Sequence, residues 1–310
     1  MRYPARVTVT IVSAADAKYW DLLDDLLLSW REGPFARGLG FAVLDVGLTS
    51  EQRARLDALG VARAEPGWDF TVPWRDKLPD HARSLHARPF LPRYFPGSDL
   101  YLWIDADAWI QDDRVLRLLI DAASGGRLAI VQESDRGYWT SYKPPKLWGQ
   151  NQKAFAFGWG WNAGYRLGRN PILNGGVWAL AADAPHWAAW QRAMRLAFER
   201  RRLRVPPASD MSLQILEQTA QNYVVFHDKL PATFLPAYCN WFCAKGHPLW
   251  DERRHALVEP HAPHETLGIV HLAGKGMKDR VFTLKTLQGG TVETRLTRSA
   301  IRALAEPAAA

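Results

Sequence analysis

Two aspartates separated by one residue, Asp105 and Asp107, directly follow the apolar run 100–104 (LYLWI). Hard divalent cations such as Mn²⁺ or Mg²⁺ take carboxylate oxygens as ligands, and a short Asp-x-Asp turn can offer both carboxylates to one ion. Such an ion stabilises negative charge that develops on a phosphate leaving group. A solvated turn is the competing interpretation, because this spacing occurs by chance in many proteins.

Predicted strands and helices alternate around this pair. The order is strand, helix, strand, helix, helix, strand, over residues 6–12, 19–31, 41–46, 49–59, 87–95 and 99–104. The last strand is almost wholly apolar, which is typical of a strand buried on both faces of a parallel sheet. Such an alternation predicts a doubly wound α/β sheet, whose ligand lies beyond the carboxyl ends of its strands. Asp105 and Asp107 fall at one of those ends.

The second half of the chain continues the pattern. It predicts helices at 115–123, 185–202 and 209–221 and strands at 128–132, 177–181, 223–226 and 268–272. No internal repeat and no Gly/Ser/Pro-rich linker divides the chain. We therefore expect one domain with a C-terminal tail, whose final Ala-rich residues are frayed or disordered.

Composition narrows the class of protein. The 310 residues are 47% hydrophobic, enough to bury a sizeable core. Cys239 and Cys243 form neither a disulfide framework nor a four-ligand zinc site, and the start of the chain lacks the apolar run of a signal peptide, so we expect a soluble, cytoplasmic protein. A net charge of +7 favours polyanionic partners. Nucleic acid is set aside, since no nucleic-acid module is present.

Four segments together resemble the GT-A glycosyltransferases, particularly glycosyltransferase family 8. They are residues 101–107 (YLWIDAD), 173–178 (LNGGVW), 209–213 (SDMSL) and 271–275 (HLAGK). The similarity covers roughly residues 6 to 280 by order and spacing. It implies a GT-A-like, mainly parallel sheet with helices on both faces. It also implies one catalytic domain over 1–285, with a Rossmann-like nucleotide-binding half (1–112) and a donor-sugar and acceptor half (113–285), and a tail over 286–310.

The resemblance implies a metal site and a diphosphate site. Asp105 and Asp107 would hold the metal and the ribose of the donor, and His271 would add an imidazole ligand. Mn²⁺ accepts such a mixed oxygen and nitrogen set, with Mg²⁺ as the alternative ion. Lys275 or Lys278 would neutralise the diphosphate as a point charge. A pair of solvated surface lysines is the competing interpretation of these two residues.

The same resemblance assigns the sugar-binding and catalytic roles. Arg88 matches a basic residue that contacts the donor, and Asn174 would lie beside the donor sugar. Asp210 would contact the donor sugar or the acceptor hydroxyl, although a helix cap explains it equally simply. Met211 stands where many retaining members carry glutamine. Retention of configuration therefore rests on the family alone, and inversion with Asp210 as general base stays open.

Acceptor binding is expected from an aromatic stretch that predicts an irregular loop. Its candidate residues are Tyr138, Trp139, Tyr142, Trp148, Trp159 and Trp161. A satellite core beneath a long loop is an equally good explanation. Glu133 and Asp135 are further donor-sugar candidates, with solvated turn residues as the alternative. The basic run 199–204 (ERRRLR) suits a helix C-terminus, and attraction to an acidic membrane at the inner face is its functional alternative.

The combined prediction is a metal-dependent glycosyltransferase. It would move a hexose from a nucleoside-diphosphate sugar, such as a UDP-sugar, to a carbohydrate or glycolipid acceptor. A nucleotidyltransferase that makes sugar nucleotides is one alternative, although residues 13–18 (SAADAK) lack the glycines of its usual basic loop. A non-enzymatic, metal-dependent carbohydrate-binding protein is the other. The sequence predicts no oligomeric state.

Overall fold

A computed structural model describes residues 7–72, 75–200, 210–274 and 276–305. The first half contains strands β1 (Val9–Ala15), β2 (Gly40–Asp45), β3 (Ala62–Ala64), β4 (Leu100–Ile104) and β5 (Ala108–Ile110), and helices α1 (Trp20–Glu32), α2 (Ser50–Ala58), α3 (Ala82–Ala87), α4 (Leu91–Tyr94) and α5 (Arg114–Ala122). Thr49 caps α2 by accepting from the Gln52 amide while the Gln52 side chain accepts from the Thr49 amide, as its sequence predicts.

In the described part of the second half, three strands of the central sheet and four helices come first, and several short strands and a last helix follow. Its elements are β6 (Leu128–Gln132), α6 (Pro144–Trp159), α7 (Trp161–Leu167), β7 (Leu173–Ala181), α8 (His186–Glu199), α9 (Asp210–Phe226), β8 (Ala232–Leu235), β9 (Trp241–Phe242), β10 (Leu249–Asp251), β11 (Ala256–Val258), β12 (Ile269–His271), β13 (Phe282–Lys285), β14 (Thr291–Thr294) and α10 (Arg298–Ala305). None of the described helices is both long and apolar enough to cross a membrane.

The central sheet has seven strands in the order β3-β2-β1-β4-β7-β6-β8. Strands β3, β2, β1 and β4 run parallel to one another, and β8 runs parallel to β6. Strand β7 runs antiparallel to both of its neighbours, β4 and β6. The prediction of a mainly parallel α/β sheet is confirmed. Its β1–β4 half is wholly parallel, so the carboxyl ends of those strands meet at one edge.

Both faces of the sheet are covered, and β4 shows why. Tyr101 and Trp103 point into one hydrophobic cluster, which includes α3, α6, α8 and α9. Leu100, Leu102 and Ile104 point into the other, with α1, α2 and α5. Because side chains alternate along a strand, an all-apolar sequence is what a strand buried on two faces requires.

A second, three-stranded sheet lies beyond the carboxyl end of β4. Its order is β5-β12-β9, with β12 antiparallel to β5 and parallel to β9. In this sheet His271 pairs with Ala108 on one side and with Phe242 on the other. The turn after β4 leads straight into β5, which pairs with β12. This pairing places His271, the last residue of β12, next to Asp105 and Asp107.

Three sequence predictions about local structure are wrong. Residues 223–226 end helix α9 instead of forming a strand, since a short apolar run does not distinguish a strand from a buried helical turn. The aromatic stretch is helical, in α6 and α7. The single helix expected at 87–95 is broken into short turns, with Pro89 in the middle.

The segment that the sequence assigns to a tail contains ordered elements. Strand β14 pairs with β13, and α10 packs on α1. The Arg298 amide donates to Asp25 Oδ2 at 3.1 Å, and Arg302 pairs with Glu32 at 2.8 Å. Helix α10 therefore packs against the first helix of the domain, while β14 forms a hairpin with β13.

Candidate active site

The Asp105-Ala-Asp107 turn is anchored at both ends by backbone hydrogen bonds. The Asp105 amide donates to Gly176 O of β7 at 2.8 Å, and the Leu272 amide donates to Asp107 O at 2.8 Å. The first bond extends the pairing of β4 with β7, and the second joins the turn to the residue after β12. Both carboxylates thus project from a fixed backbone at the carboxyl edge of the sheet.

His271 lies beside these carboxylates, although it is more than 160 residues away in sequence. Its Nε2 atom is 3.3 Å from Asp107 Oδ1 and 3.8 Å from Asp105 Oδ2. One ligand atom from each of the three residues lies within 4.8 Å of the others. Neighbouring ligands of a divalent cation are about 3 Å apart, so the arrangement suits one ion.

The imidazole also has the chemistry of a ligand. The side chain is 2% exposed, and Nε2 makes no hydrogen bond within the described part of the chain. A buried polar atom without a partner is costly unless something else binds it. Burial lowers the pKa of His271, but attraction to Asp107 and Asp105 outweighs it and raises the pKa overall. A metal ion and a proton would compete for Nε2.

A chain of hydrogen bonds fixes the orientation of His271. The Gly176 amide can only donate, and it lies 2.8 Å from an Asn174 side-chain atom, which must therefore be Oδ1. The Asn240 atom 2.9 Å from that oxygen must be Nδ2, so Asn240 presents Oδ1 to His271 Nδ1 at 3.0 Å. We assign the proton of the neutral imidazole to Nδ1 on this basis, which leaves the Nε2 lone pair for a metal.

Close packing at Gly176 is part of this arrangement. A Cβ atom at this position would lie 2.2 Å from His271 Cε1 and 2.9 Å from Asp105 Oδ2. No side chain fits there without moving a candidate ligand. The second glycine of the Asn174-Gly-Gly sequence is therefore required for the close approach of β7 to the three side chains.

The other end of Asn174 reaches Glu133, which follows β6. Asn174 Nδ2 donates to Glu133 Oε1 at 3.0 Å, and Gln218 Nε2 donates to the same oxygen at 3.0 Å. Lys245 forms an ion pair with Glu133 Oε2. Gln218 is itself held by the Gly175 amide, at 3.2 Å. These polar side chains form one continuous wall next to the metal-ligand candidates.

Arg88 lies on the opposite side of Asp105, buried and paired twice. Its Nη2 donates to Asp105 Oδ1 at 2.5 Å and its Nη1 to Glu217 Oε2 at 2.9 Å. The guanidinium stacks over Trp103 at 4.4 Å, and Trp103 Nε1 donates to Asp105 Oδ1 at 2.7 Å. Arg88 thus contacts Asp105 directly, which the sequence did not predict for it.

Burial governs the charges of these groups. It raises the pKa of Asp105, and the positive charge of Arg88 opposes the increase. Burial also raises the pKa of Glu217, to about 7, and the positive charge of Arg88 again opposes the increase. Arg88 has a pKa above its ordinary value, because the two carboxylates outweigh the effect of its own burial. Since Arg88 stays charged, it opposes protonation of Asp105 and so favours the anionic form that binds a metal.

Some of the remaining predicted residues lie outside the part of the chain that the structure describes, and others can be placed. Lys275 and residues 201–204 of the basic run lie outside the described residues, and so does the side chain of Asp210, the first residue of α9. Lys278 is exposed, with its Nζ 5.9 Å from the Tyr19 ring. Asp135 caps a turn by accepting from the Gly137 amide at 2.7 Å, as the turn interpretation predicts.

The aromatic candidates divide into two groups. Tyr138 and Trp159 are core residues, 1% and 7% exposed. Tyr138 also accepts a hydrogen bond from the Phe242 amide at 2.9 Å. The other four are exposed at the surface: Trp139, Tyr142, Trp148 and Trp161. Only this second group can contact a ligand.

Sequence reasoning missed several residues of the site. They are Tyr19, Glu217, Gln218, Asn240 and Lys245. Partial burial raises the pKa of Tyr19, and the negative charges of Asp107, Asp16 and Asp105 add to the increase. Tyr19 lies in the short connection between β1 and α1, and a residue in that connection could have been found from the order of the predicted elements. The others carry no distinguishing pattern in the sequence.

Comparison with known proteins was made at the level of sequence and of structure. No protein-family model matches the sequence, and no curated protein matches it. Solved structures do match. The galactosyltransferase LgtC, in complex with donor and acceptor sugar analogs, aligns with 96% of this chain and 95% of its own, at 15% identity and a TM-score of 0.54.

Two further structures align over less of their own length. The bifunctional glycosyltransferase WbbM aligns over 88% of this chain and 47% of its own, at 17% identity and a TM-score of 0.51. The glycosyltransferase GlyE of Streptococcus pneumoniae aligns over 98% of this chain and 61% of its own, at 15% identity and a TM-score of 0.51. At sequence identities this low, the structural likeness shows the fold and nothing more. The chain has the GT-A fold, and the resemblance to family 8 is confirmed at that level.

Proposed function

We propose that the protein is a metal-dependent glycosyltransferase that transfers a hexose from a nucleoside-diphosphate sugar, a UDP-sugar in particular, to a carbohydrate or glycolipid acceptor. The observation that carries the proposal is the convergence of Asp105, Asp107 and His271 at the carboxyl edge of a GT-A sheet. Edges of this kind are where open α/β sheets bind their ligands.

The three side chains would hold Mn²⁺, or Mg²⁺ in its place. When bound, the cation neutralises the diphosphate and stabilises the charge of the leaving nucleoside diphosphate. Asn240 keeps the Nε2 lone pair of His271 directed at the site, and Arg88 keeps Asp105 ionised and oriented. Both residues act through a ligand and are positioning residues.

Donor binding follows from the surfaces on either side. Tyr19, in the connection between β1 and α1, is 49% exposed, and its ring offers a stacking face for the base. Lys278, over that ring, would neutralise the diphosphate, as would Lys275. The wall formed by Glu133, Asn174, Gln218 and Lys245 has donors and acceptors suited to sugar hydroxyls.

The proposal gives the two parts of the domain different roles. Residues 1–112 would form the nucleotide-binding half, with His271, Lys275 and Lys278 added to the metal and diphosphate site from the later part. Residues 113–285 would bind the donor sugar and the acceptor. Asp210, at the start of α9, would contact the donor sugar or act as general base on the acceptor hydroxyl. The exposed Trp139 adjoins the wall, since its amide donates to Lys245 O at 2.9 Å, and it would contact the acceptor.

The test is hydrolysis of UDP-sugars in the absence of acceptor, with and without Mn²⁺. We expect Mn²⁺-dependent release of UDP by the native protein and its loss in Asp107→Asn. Asp183→Asn, an exposed aspartate before α8, is the matched control and should keep full activity.

A thermal-shift screen of nucleoside diphosphates and their sugars separates the alternatives. A ligand that binds the folded protein alone raises its melting temperature. If UDP-sugars stabilise the protein with Mn²⁺ but no UDP is ever released, the protein binds sugar nucleotides without transferring them. If a nucleoside triphosphate and a sugar phosphate yield pyrophosphate, it is a nucleotidyltransferase.

A further inference from the structure

Most of the chain's net positive charge comes from one segment, because that segment has no acidic residues. Between Arg136 and Ala182 there is no aspartate or glutamate, and there are six basic residues: Arg136, Lys143, Lys146, Lys153, Arg166 and Arg169. The whole chain has 39 basic and 32 acidic residues, so the rest of it has 33 against 32 and is nearly neutral. All six side chains are exposed. Almost the entire net charge therefore lies on this segment, which contains α6 and α7.

The same segment carries most of the exposed aromatic side chains. Among the described residues seven large aromatic side chains are exposed, and five of them belong to this segment: Trp139, Tyr142, Trp148, Trp161 and Tyr165. Tyr142 and Tyr165 are each 70% exposed. Single exposed aromatics are ordinary, but five of them together with six exposed cations, in one segment that has no acidic residue, are a distinctive combination. We call these eleven residues the basic aromatic surface.

Packing within the segment joins its two helices into one compact unit. A Cβ atom on Gly168 would lie 2.3 Å from Gln152 Cγ, so α7 packs on α6 without an intervening side chain. Before α6, Lys143 Nζ lies 5.3 Å from the Trp139 ring, and the Tyr142 hydroxyl donates to Arg136 O at 2.7 Å. The aromatic and basic groups are thus presented by a compact helical pair.

We propose that the basic aromatic surface docks the protein on an anionic lipid membrane. Lysine and arginine are attracted to the negative surface of such a membrane, and tryptophan and tyrosine favour the boundary between headgroups and acyl chains. The combination of both on one surface is the signature of interfacial binding. A neutral partner would not require the exclusion of every acidic residue from 47 consecutive positions, counted from 136 to 182.

The position of this surface indicates what docking achieves. Trp139 Nε1 donates to Ala244 O at 3.2 Å, and the next residue, Lys245, pairs with Glu133 in the wall of the candidate active site. A docked molecule would hold that site close to the lipid headgroups. This step rests on the proposed function, and it identifies the acceptor as a lipid-linked carbohydrate.

Co-sedimentation with vesicles tests the docking. We expect binding to mixed phosphatidylcholine–phosphatidylglycerol vesicles, weakening as salt is added, and little binding to phosphatidylcholine alone. The double variant Lys146→Glu, Arg166→Glu should bind the mixed vesicles about tenfold more weakly or worse. The double variant Arg37→Glu, Arg253→Glu makes the same change in charge elsewhere on the surface and should bind normally.

A second pair of substitutions tests the aromatic contribution. Trp148→Ser with Tyr165→Ser leaves the charge unchanged and should still weaken binding several-fold. Equal binding to neutral vesicles, equal loss in the control variant, or binding to dextran sulfate with none to vesicles would overturn the proposal. Acceptor-free hydrolysis of the UDP-sugar is measured on every variant, so failed docking and failed catalysis are told apart.

Discussion

Replacing Asn240 by leucine tests whether the hydrogen-bond chain prepares His271 for a metal. Leucine has a similar volume but neither accepts from His271 Nδ1 nor donates to Asn174 Oδ1, which are 3.0 and 2.9 Å from the Asn240 amide. The change leaves a buried N–H without an acceptor, so we expect the free energy of unfolding to fall by about 1–3 kcal/mol.

The larger effect should be on metal binding. Loss of the partner that orients a metal-binding histidine weakens affinity by roughly 10–100-fold. We expect an increase of that size in the Kd for Mn²⁺, measured from the electron paramagnetic resonance signal of the free ion. Asn151→Leu is the matched control, since Asn151 is buried and its Nδ2 donates to Asn170 O, a contact that involves none of the metal-ligand candidates.

Two results would contradict the proposed role of Asn240. An unchanged Kd for Mn²⁺ in Asn240→Leu would mean that the amide does not orient the imidazole. An equal rise in Kd in Asn151→Leu would mean that general loss of stability, and not the tautomer, weakens binding.

Two further predictions concern single positions. Gly176→Ala places a Cβ atom 2.2 Å from His271 Cε1 and should abolish Mn²⁺ binding in titration calorimetry, whereas Gly175→Ala, whose Cβ would contact Gln218 at an ordinary 3.5 Å, should retain it. His86 is buried with both ring nitrogens unpartnered, and burial lowers its pKa to about 4. Its neutral form is favoured by folding, so stability is full above the unfolded pKa of about 6.5 and falls by up to about 3 kcal/mol as the pH drops to about 4. Urea denaturation across this range should show the loss, and His86→Phe should lack that part of it.

The parts of the fold set by local patterns were predictable from the sequence. The all-apolar run of β4 indicated a strand buried on two faces, and its abrupt end at Asp105 placed the site at the sheet edge. The aromatic stretch was harder, because Pro144, Gly149 and Gly158 break the appearance of a helix. In the structure Pro144 is the first residue of α6, where proline is tolerated. Gly158 allows close packing, since a Cβ atom there would lie 2.9 Å from Leu216 Cδ1, whereas Gly149 faces open space.

The supporting residues of the site could not be predicted in the same way. Asn240 and Lys245 flank a two-residue strand, and neither lies on an element with a period that sequence could reveal. Their contacts with His271 and Glu133 join segments 31 and 112 residues apart. Only the folded backbone brings those segments together, so the metal-ligand candidates, Arg88 and Asn174 were visible in the sequence, whereas Asn240 and Lys245 were not.

The central claim is that Asp105, Asp107 and His271 bind one divalent cation beside a nucleotide. It is tested most directly by anomalous X-ray diffraction from crystals of the protein soaked with Mn²⁺ and UDP. We expect a single strong manganese peak within bonding distance, about 2.0–2.2 Å, of His271 Nε2 and of a carboxylate oxygen. Ordered UDP with no manganese at the three side chains, or manganese bound only elsewhere, would contradict the account.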